Sequence, residues 1–205
     1  MNLVVLTKNF GLNYTGATVA TQQLIVRWQE KLSKIIVLTL HVGECADFNN
    51  RIVSVESLAD VASLRRRLRE LRDADCFYSD DHMGTLLDNY HPLVHTYHGN
   101  WPDGRHRSLM AMVKSLYFMP RYEHIFRSSD KVVNVSHHMR NYTDKFTDNS
   151  MVIHNGLVRP VLCSHEEAVG SGLIMVGSVD RRKYGKLSIV ARRINELKPE
   201  AAIDI

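Results

Sequence analysis

"NLVVLTKNFGLNYTGATVATQQLIVRWQEKLSKIIVLTL", residues 2–40, decides the fold. An apolar run from Leu3 to Leu6 predicts a strand over residues 2–7, and a second run rich in Ile and Val predicts another over 34–40. Between them Ala20, Leu24 and Trp28 recur every fourth position, so a helix is expected from Gly16, after a turn over 11–15, to about residue 31. Strand, helix and strand in that order make a βαβ unit, whose strands lie parallel in one sheet.

The pattern repeats along the chain. Further strands are predicted over 51–55, 75–78, 92–97, 131–135 and 151–154. "SLRRRLRELRDAD" (63–75) reads as a helix with Leu64, Leu68 and Leu71 inward and five arginines on a solvated face. A longer helical segment over 105–127 sets Leu109, Met112, Val113, Leu116 and Tyr117 at i, i+3, i+4, i+7 and i+8, with Pro120 expected to break or kink it. Over 104–127 the cations Arg105, Arg107, Lys114, Arg121 and Arg127 face Glu123 alone. Core packing of the Met and Leu residues under a basic outer face is the reading preferred. Contact with an anionic membrane surface or an acidic acceptor stays open. After "HNG" (154–156) the pattern loosens through Pro160, Gly170 and Gly172, as in a linker. A strand in "LIMVG" (173–177), a helix through Leu187, Val190, Ile194 and Leu197, and a strand in "AAIDI" then follow.

The expected fold class is therefore α/β, a Rossmann-like parallel sheet with helices on both faces over residues 1–156. A linker over 157–171 leads to a β-α-β unit over 172–205 that is too short to cover both faces of its own sheet. Its exposed half-sheet predicts dimerisation through 172–205 or partial disorder there.

Composition narrows the function. The chain has 205 residues, 44% of them apolar, and a net charge of +4 from 26 basic and 22 acidic residues. That balance is mild for a nucleic-acid-binding protein, so no nucleic-acid partner is expected. Cys45, Cys76 and Cys163 are far apart and odd in number, which fits a reducing cytoplasm. The N-terminal apolar run is too short for a signal peptide, and no run is long enough to span a bilayer. The sequons at Asn13, Asn134 and Asn141 are then expected to stay unmodified.

Ligands of open α/β sheets bind beyond the carboxyl ends of the strands, which directs attention to three loops. Gly16 opens a helix after the first strand, where backbone N–H groups and the positive helix end can approach a phosphate. The Gly11-x4-Gly16 spacing is not a dinucleotide fingerprint, which counts against an oxidoreductase. His95 and His98 lie three apart on a strand and face opposite ways, so a metal pair is not expected and His95 is read as packed. His98, followed by Gly99 at the strand end, can face a bound substrate. Asp80 and Asp81 are read as ending a strand and capping the next short helix. No P-loop, G-x-S-x-G or H-E-x-x-H motif is present.

Four stretches together resemble the family 4 glycosyltransferases, retaining enzymes of the GT-B fold. They are "GATVATQQLIVRW" (16–28), "VHTYHG" (94–99), "VVNVSHHMRNYTDKF" with "MVIHNG" (132–156), and "LIMVGSVDRRKYGKLSIVARRI" (173–194). His154 stands where the family has proline, and Ser178 where it has arginine. The resemblance implies transfer of a sugar from a nucleotide-sugar donor to a glycan or lipid-linked acceptor, without a metal or other cofactor. It implies that residues 1–156 are the acceptor domain and that 172–205 open the donor domain. Gly16 would lie by the donor diphosphate, His98 beside the donor sugar as the catalytic residue, and Lys183 on the diphosphate. Gly99, Ser136, Asn155, Gly156 and Gly177 fall on the donor-binding side. A cation at 183 suits a departing diphosphate that gathers negative charge. The family's E-x7-E segment lies beyond Ile205, so weak donor binding is expected of this chain. The alternative is a non-catalytic relative that binds a glycan, a membrane or a partner. A cytoplasmic location is expected from the cysteine pattern, with peripheral contact at the inner membrane face through the basic stretch 104–127 left open.

Overall fold

The structure is a computed structural model and describes residues 1–99, 108–156, 173–174 and 203–204. In chain order its elements are β1 (Asn2–Leu6), β2 (Asn9–Phe10), α1 (Gly16–Trp28), β3 (Lys34–Thr39), β4 (His41–Val42), β5 (Val53–Ser57), α2 (Val61–Glu70), β6 (Cys76–Ser79) and a 3-10 helix (His82–Leu87). They continue with β7 (Leu93–Tyr97), α3 (Leu109–Ser128), β8 (Lys131–Asn134), α4 (His137–Thr143), β9 (Ser150–Val152), β10 (Leu173–Ile174) and β11 (Ile203–Asp204). The chain divides into two compact units, Met1–Leu157 and Val158–Ile205.

In the first unit seven parallel strands run in the order β5-β3-β1-β6-β7-β8-β9. The unbroken apolar runs follow from burial on both faces. Leu3 and Val5 of β1, with Ile35 and Val37 of β3, pack under Ile25, Leu24 and Trp28 of α1. Val4, Leu6, Ile36 and Leu38 point the other way, onto Leu64 and Leu68 of α2 and onto Met83 and Leu87 of the 3-10 helix. Beyond β7, Tyr97 and Val132 meet Tyr122, Ile125 and Phe126 of α3.

A polar residue just before each helix fixes its start. Thr15, Asp60, Asp81, Ser108 and Ser136 each accept a backbone N–H as N-caps, and Thr15 and Thr18 close a reciprocal capping box. The arginine run on α2 is largely exposed, as expected. Arg67 also grips Glu56 of β5 through two bonds of 2.7 and 2.9 Å.

Three expectations are corrected. α2, expected over 63–75, runs from Val61 to Glu70, its start fixed by the Asp60 cap. α3 runs through Pro120 without a break. Arg121 donates to the Tyr117 carbonyl at 2.6 Å, beside the acceptor that the proline leaves without its helical N–H. The apolar stripe from Leu109 to Tyr117 is not core. Leu109 is 74% exposed, Leu116 68% and Tyr117 50%. A second stripe, Ser115, Tyr122, Ile125 and Phe126, is the buried one, because its rings lock with Tyr97. α1 carries a related surprise: its most buried positions include Thr18, Thr21 and Gln22 beside Ile25.

In the second unit β10 and β11 pair in parallel, Leu173 with Ile203 and Ile174 with Asp204. The helix expected between them, and the linker before them, lie outside the described residues. No helix among the described residues is long and apolar enough to cross a membrane.

Candidate functional site

The chain moves outward from β1 to β3 and β5, then returns to the other side of β1 to lay down β6. That reversal splays the loops after β1 and β6 and opens a crevice at the carboxyl end of the sheet. A pocket of about 360 Å³ occupies it. Thr7, Lys8 and Asn9 after β1, Asp80, Asp81 and His82 after β6, and His98 and Gly99 after β7 line it. The start of α1 adds Thr15, Ala17 and Thr18, and α3 adds the rings of Phe118 and Tyr122.

Most polar groups here are held by the fold. Asp81 Oδ2 accepts from the Lys8 N–H at 2.6 Å, and Oδ1 accepts from the Met83 N–H at 2.8 Å. It caps the 3-10 helix as expected. Asp80 does not cap. It is 4% exposed, and its Oδ2 accepts from the Thr21 hydroxyl of α1 at 2.5 Å. Its Oδ1 has no hydrogen-bond partner. Burial, then the neighbouring Asp81 charge, push the Asp80 carboxyl up to about 7, and burial raises Asp81 as well.

His95 of β7 and His98 just after it face different surroundings. His95 is fully buried, its Nδ1 is 2.8 Å from Ser79 Oγ, and burial followed by the proximity of His98 pushes its pKa down to about 3. His98 lies in the pocket, half-buried, with no partner for Nε2. Burial lowers its pKa to about 4, so at neutral pH it is an uncharged ring with one donor and one acceptor nitrogen. Gly99 beside it keeps that part of the wall free of a side chain.

The other expected residues are more scattered. Gly16 is the first residue of α1, and a Cβ built there meets no atom within 4 Å, so packing does not demand the glycine. Its neighbours Thr15 and Ala17 line the pocket. Ser136 is occupied as the N-cap of α4, accepting from the Met139 N–H at 3.2 Å. Asn155 and Gly156 follow β9 and are exposed, away from the pocket lining. Gly177 and Lys183 lie outside the described residues. Among the described residues no group of three or more His, Cys, Asp or Glu side chains is placed to hold a metal ion. The sequence reading missed Lys8, Thr18, Phe118 and Tyr122 as lining residues. Their one signal was position, since each follows a strand or faces one from a helix.

The family model described as Glycosyltransferase Family 4 matches residues 14–158. No curated protein sequence matches the chain. Among solved structures, the chain is similar to Anabaena Alr3699/HepE, crystallised in complex with UDP and glucose, with a TM-score of 0.58 at 13% identity. The likeness covers 98% of this chain and 59% of that one, so the chain spans about three-fifths of its solved relative.

Proposed function

The chain belongs to glycosyltransferase family 4, and from that premise we propose that its switch-point pocket serves the transfer of a sugar from a nucleotide-sugar donor to a glycan or lipid-linked acceptor. The observation that carries this reading is the placement of His98 and Gly99 at the carboxyl end of β7, facing the loops after β1 and β6. His98 is the proposed catalytic residue. As a neutral ring it offers Nε2, which has no partner in the fold, for a hydrogen bond to the transferred sugar. Gly16 and Gly99 give the donor close access to backbone. Ser136, Asn155, Gly156, Gly177 and Lys183 are the further residues proposed to bind the donor. Lys183 offsets charge on the departing diphosphate, which lets the reaction proceed without a metal.

The test is transfer itself. The chain is incubated with radiolabelled UDP-glucose, GDP-mannose and related donors, each with glycan and lipid-linked acceptors. Transfer by the wild type that falls at least about 100-fold in His98→Ala, a loss typical of a removed transition-state hydrogen-bond donor, supports the reading. Glycan binding without transfer favours the non-catalytic alternative.

A location at the inner face of a membrane is part of the same proposal. The exposed apolar side of α3, with Lys114 and Arg121 at its edge, has the composition of a helix that lies on an anionic lipid surface. A lipid-linked acceptor would be met there. Self-association through 172–205 is likewise proposed, on the expectation of an uncovered half-sheet.

A further inference from the structure

Among the described residues, Asp80 is the one charged side chain lining the pocket that the fold both buries and leaves with an unpartnered oxygen. It is 4% exposed, Thr21 holds Oδ2 at 2.5 Å, the Thr7 hydroxyl lies near enough to favour its charged form, and Oδ1, itself shielded from solvent, has no partner at hydrogen-bond distance. Buried polar atoms are almost always paired, so an unpaired carboxylate oxygen on a pocket-lining residue marks where a ligand can bring a donor. The surroundings specify that donor. Asp81 is the next residue and carries a second carboxyl, so an anion such as a phosphate is repelled from this corner. The same pocket presents His98, whose Nε2 is also unpartnered, and the rings of Phe118 and Tyr122. Two separate polar groups beside an aromatic wall suit an uncharged ligand rich in hydroxyls, with one apolar face.

We propose that Asp80 is a sugar-reading residue of this pocket, its Oδ1 accepting a hydrogen bond from a hydroxyl of the donor's sugar or of a carbohydrate acceptor. This rests on the transferase reading and deepens it. The diphosphate lies away from Asp80, and the hydroxyls lie toward it. Because the Asp80 carboxyl titrates near 7 and its ionised form accepts the stronger hydrogen bond, sugar binding tightens as pH rises through that value. The other titratable or charged groups around it are Lys8, Tyr78, Asp81, His82, His98 and Tyr122. Of these, His98 stays neutral across the window.

The experiment follows the Asp80 side-chain carboxyl by ¹³C NMR in the full chain, across pH, alone and with saturating D-glucose, UDP, UDP-glucose or GDP-mannose. The expected result is a titration midpoint that moves down by about one unit with the sugar-bearing ligands and not with UDP, one unit being a tenfold preference for the charged form. A shift with free glucose assigns an acceptor-type sugar, and a shift with the nucleotide sugars alone assigns the donor sugar. Asp80→Asn, nearly isosteric, is expected to bind the same ligands about tenfold more weakly and to lose the pH dependence. A midpoint that none of the four ligands moves, while His98 and Gly99 signals do shift, overturns the inference and leaves the transferase reading standing. Signals that no nucleotide sugar shifts anywhere in the pocket contradict the transferase reading itself.

Discussion

At His98 an apolar strand delivers an imidazole to the mouth of the sheet, where burial keeps it uncharged and leaves Nε2 without a partner. His98→Ala should therefore abolish most transfer while the far-UV spectrum and unfolding midpoint stay close to wild type, since no fold contact is lost at Nε2. Gly16 offers a complementary probe. A Cβ there meets only open space, so Gly16→Ala should keep or slightly raise stability, by up to about 1 kcal/mol, while weakening donor binding measured by calorimetry. Unchanged donor affinity would remove Gly16 from the site. His98, Gly99 and the partnering of Asp81 were legible in the sequence because each is local: a strand, its end, and the residue that starts the next element. Asp80 was not legible. Its burial depends on Thr21, 59 positions away, and no local pattern records that an adjacent carboxylate is turned inward.

Among the elements, α3 separates what periodicity can and cannot say. Two stripes on it share helical spacing, and the more aliphatic one is outside. The spacing located the helix, but only the rings of Tyr97 and Phe126, which meet once β7 and α3 pack, decide which stripe goes in. An exposed stripe of this size beside cations leads to a measurement. The chain should sediment with vesicles containing anionic phospholipid, more weakly at high salt, and Leu109→Asp with Leu116→Asp should remove binding without lowering stability. Each leucine buried in lipid contributes roughly 1.5–3 kcal/mol, so their joint loss is decisive. Equal binding by the double variant would contradict the membrane reading. The 3-10 helix makes a packing prediction. A Cβ on Gly84 would come within 2.6 Å of Ser79 Oγ, which is fixed by His95, and within 3.2 Å of Ile125. Gly84→Ala should cost about 1–3 kcal/mol, read from urea unfolding.

For the whole molecule, the alternation of apolar runs and helical periods carried the α/β class, and each strand of the main sheet lies within two residues of its expected start. Strand order was not in the pattern, since parallel connections leave open which side of β1 the chain returns to, and that choice creates the pocket. The buried titrating groups make stability depend on pH. Asp80 is protonated in the folded chain up to about 7 but ionises near 3.8 when unfolded, so its contribution to stability falls as pH rises through that window. His95 and His98 act oppositely. Their folded pKa values, about 3 and 4, lie below the ordinary 6.5, so stability is lost as pH falls beneath 6.5. Asp80→Asn should thus be more stable than wild type at pH 8, with the gap closing toward pH 4, in paired urea titrations. A residue retained at a cost to stability is what a binding role for Asp80 entails.

The most direct test of the central claim is a ¹H–¹⁵N correlation spectrum of the full chain titrated with UDP-glucose and GDP-mannose. The account predicts saturable shifts concentrated at residues 7–9, 15–18, 80–82 and 98–99, which form the mouth of the sheet. Shifts confined to another face, or none with any nucleotide sugar, would contradict it.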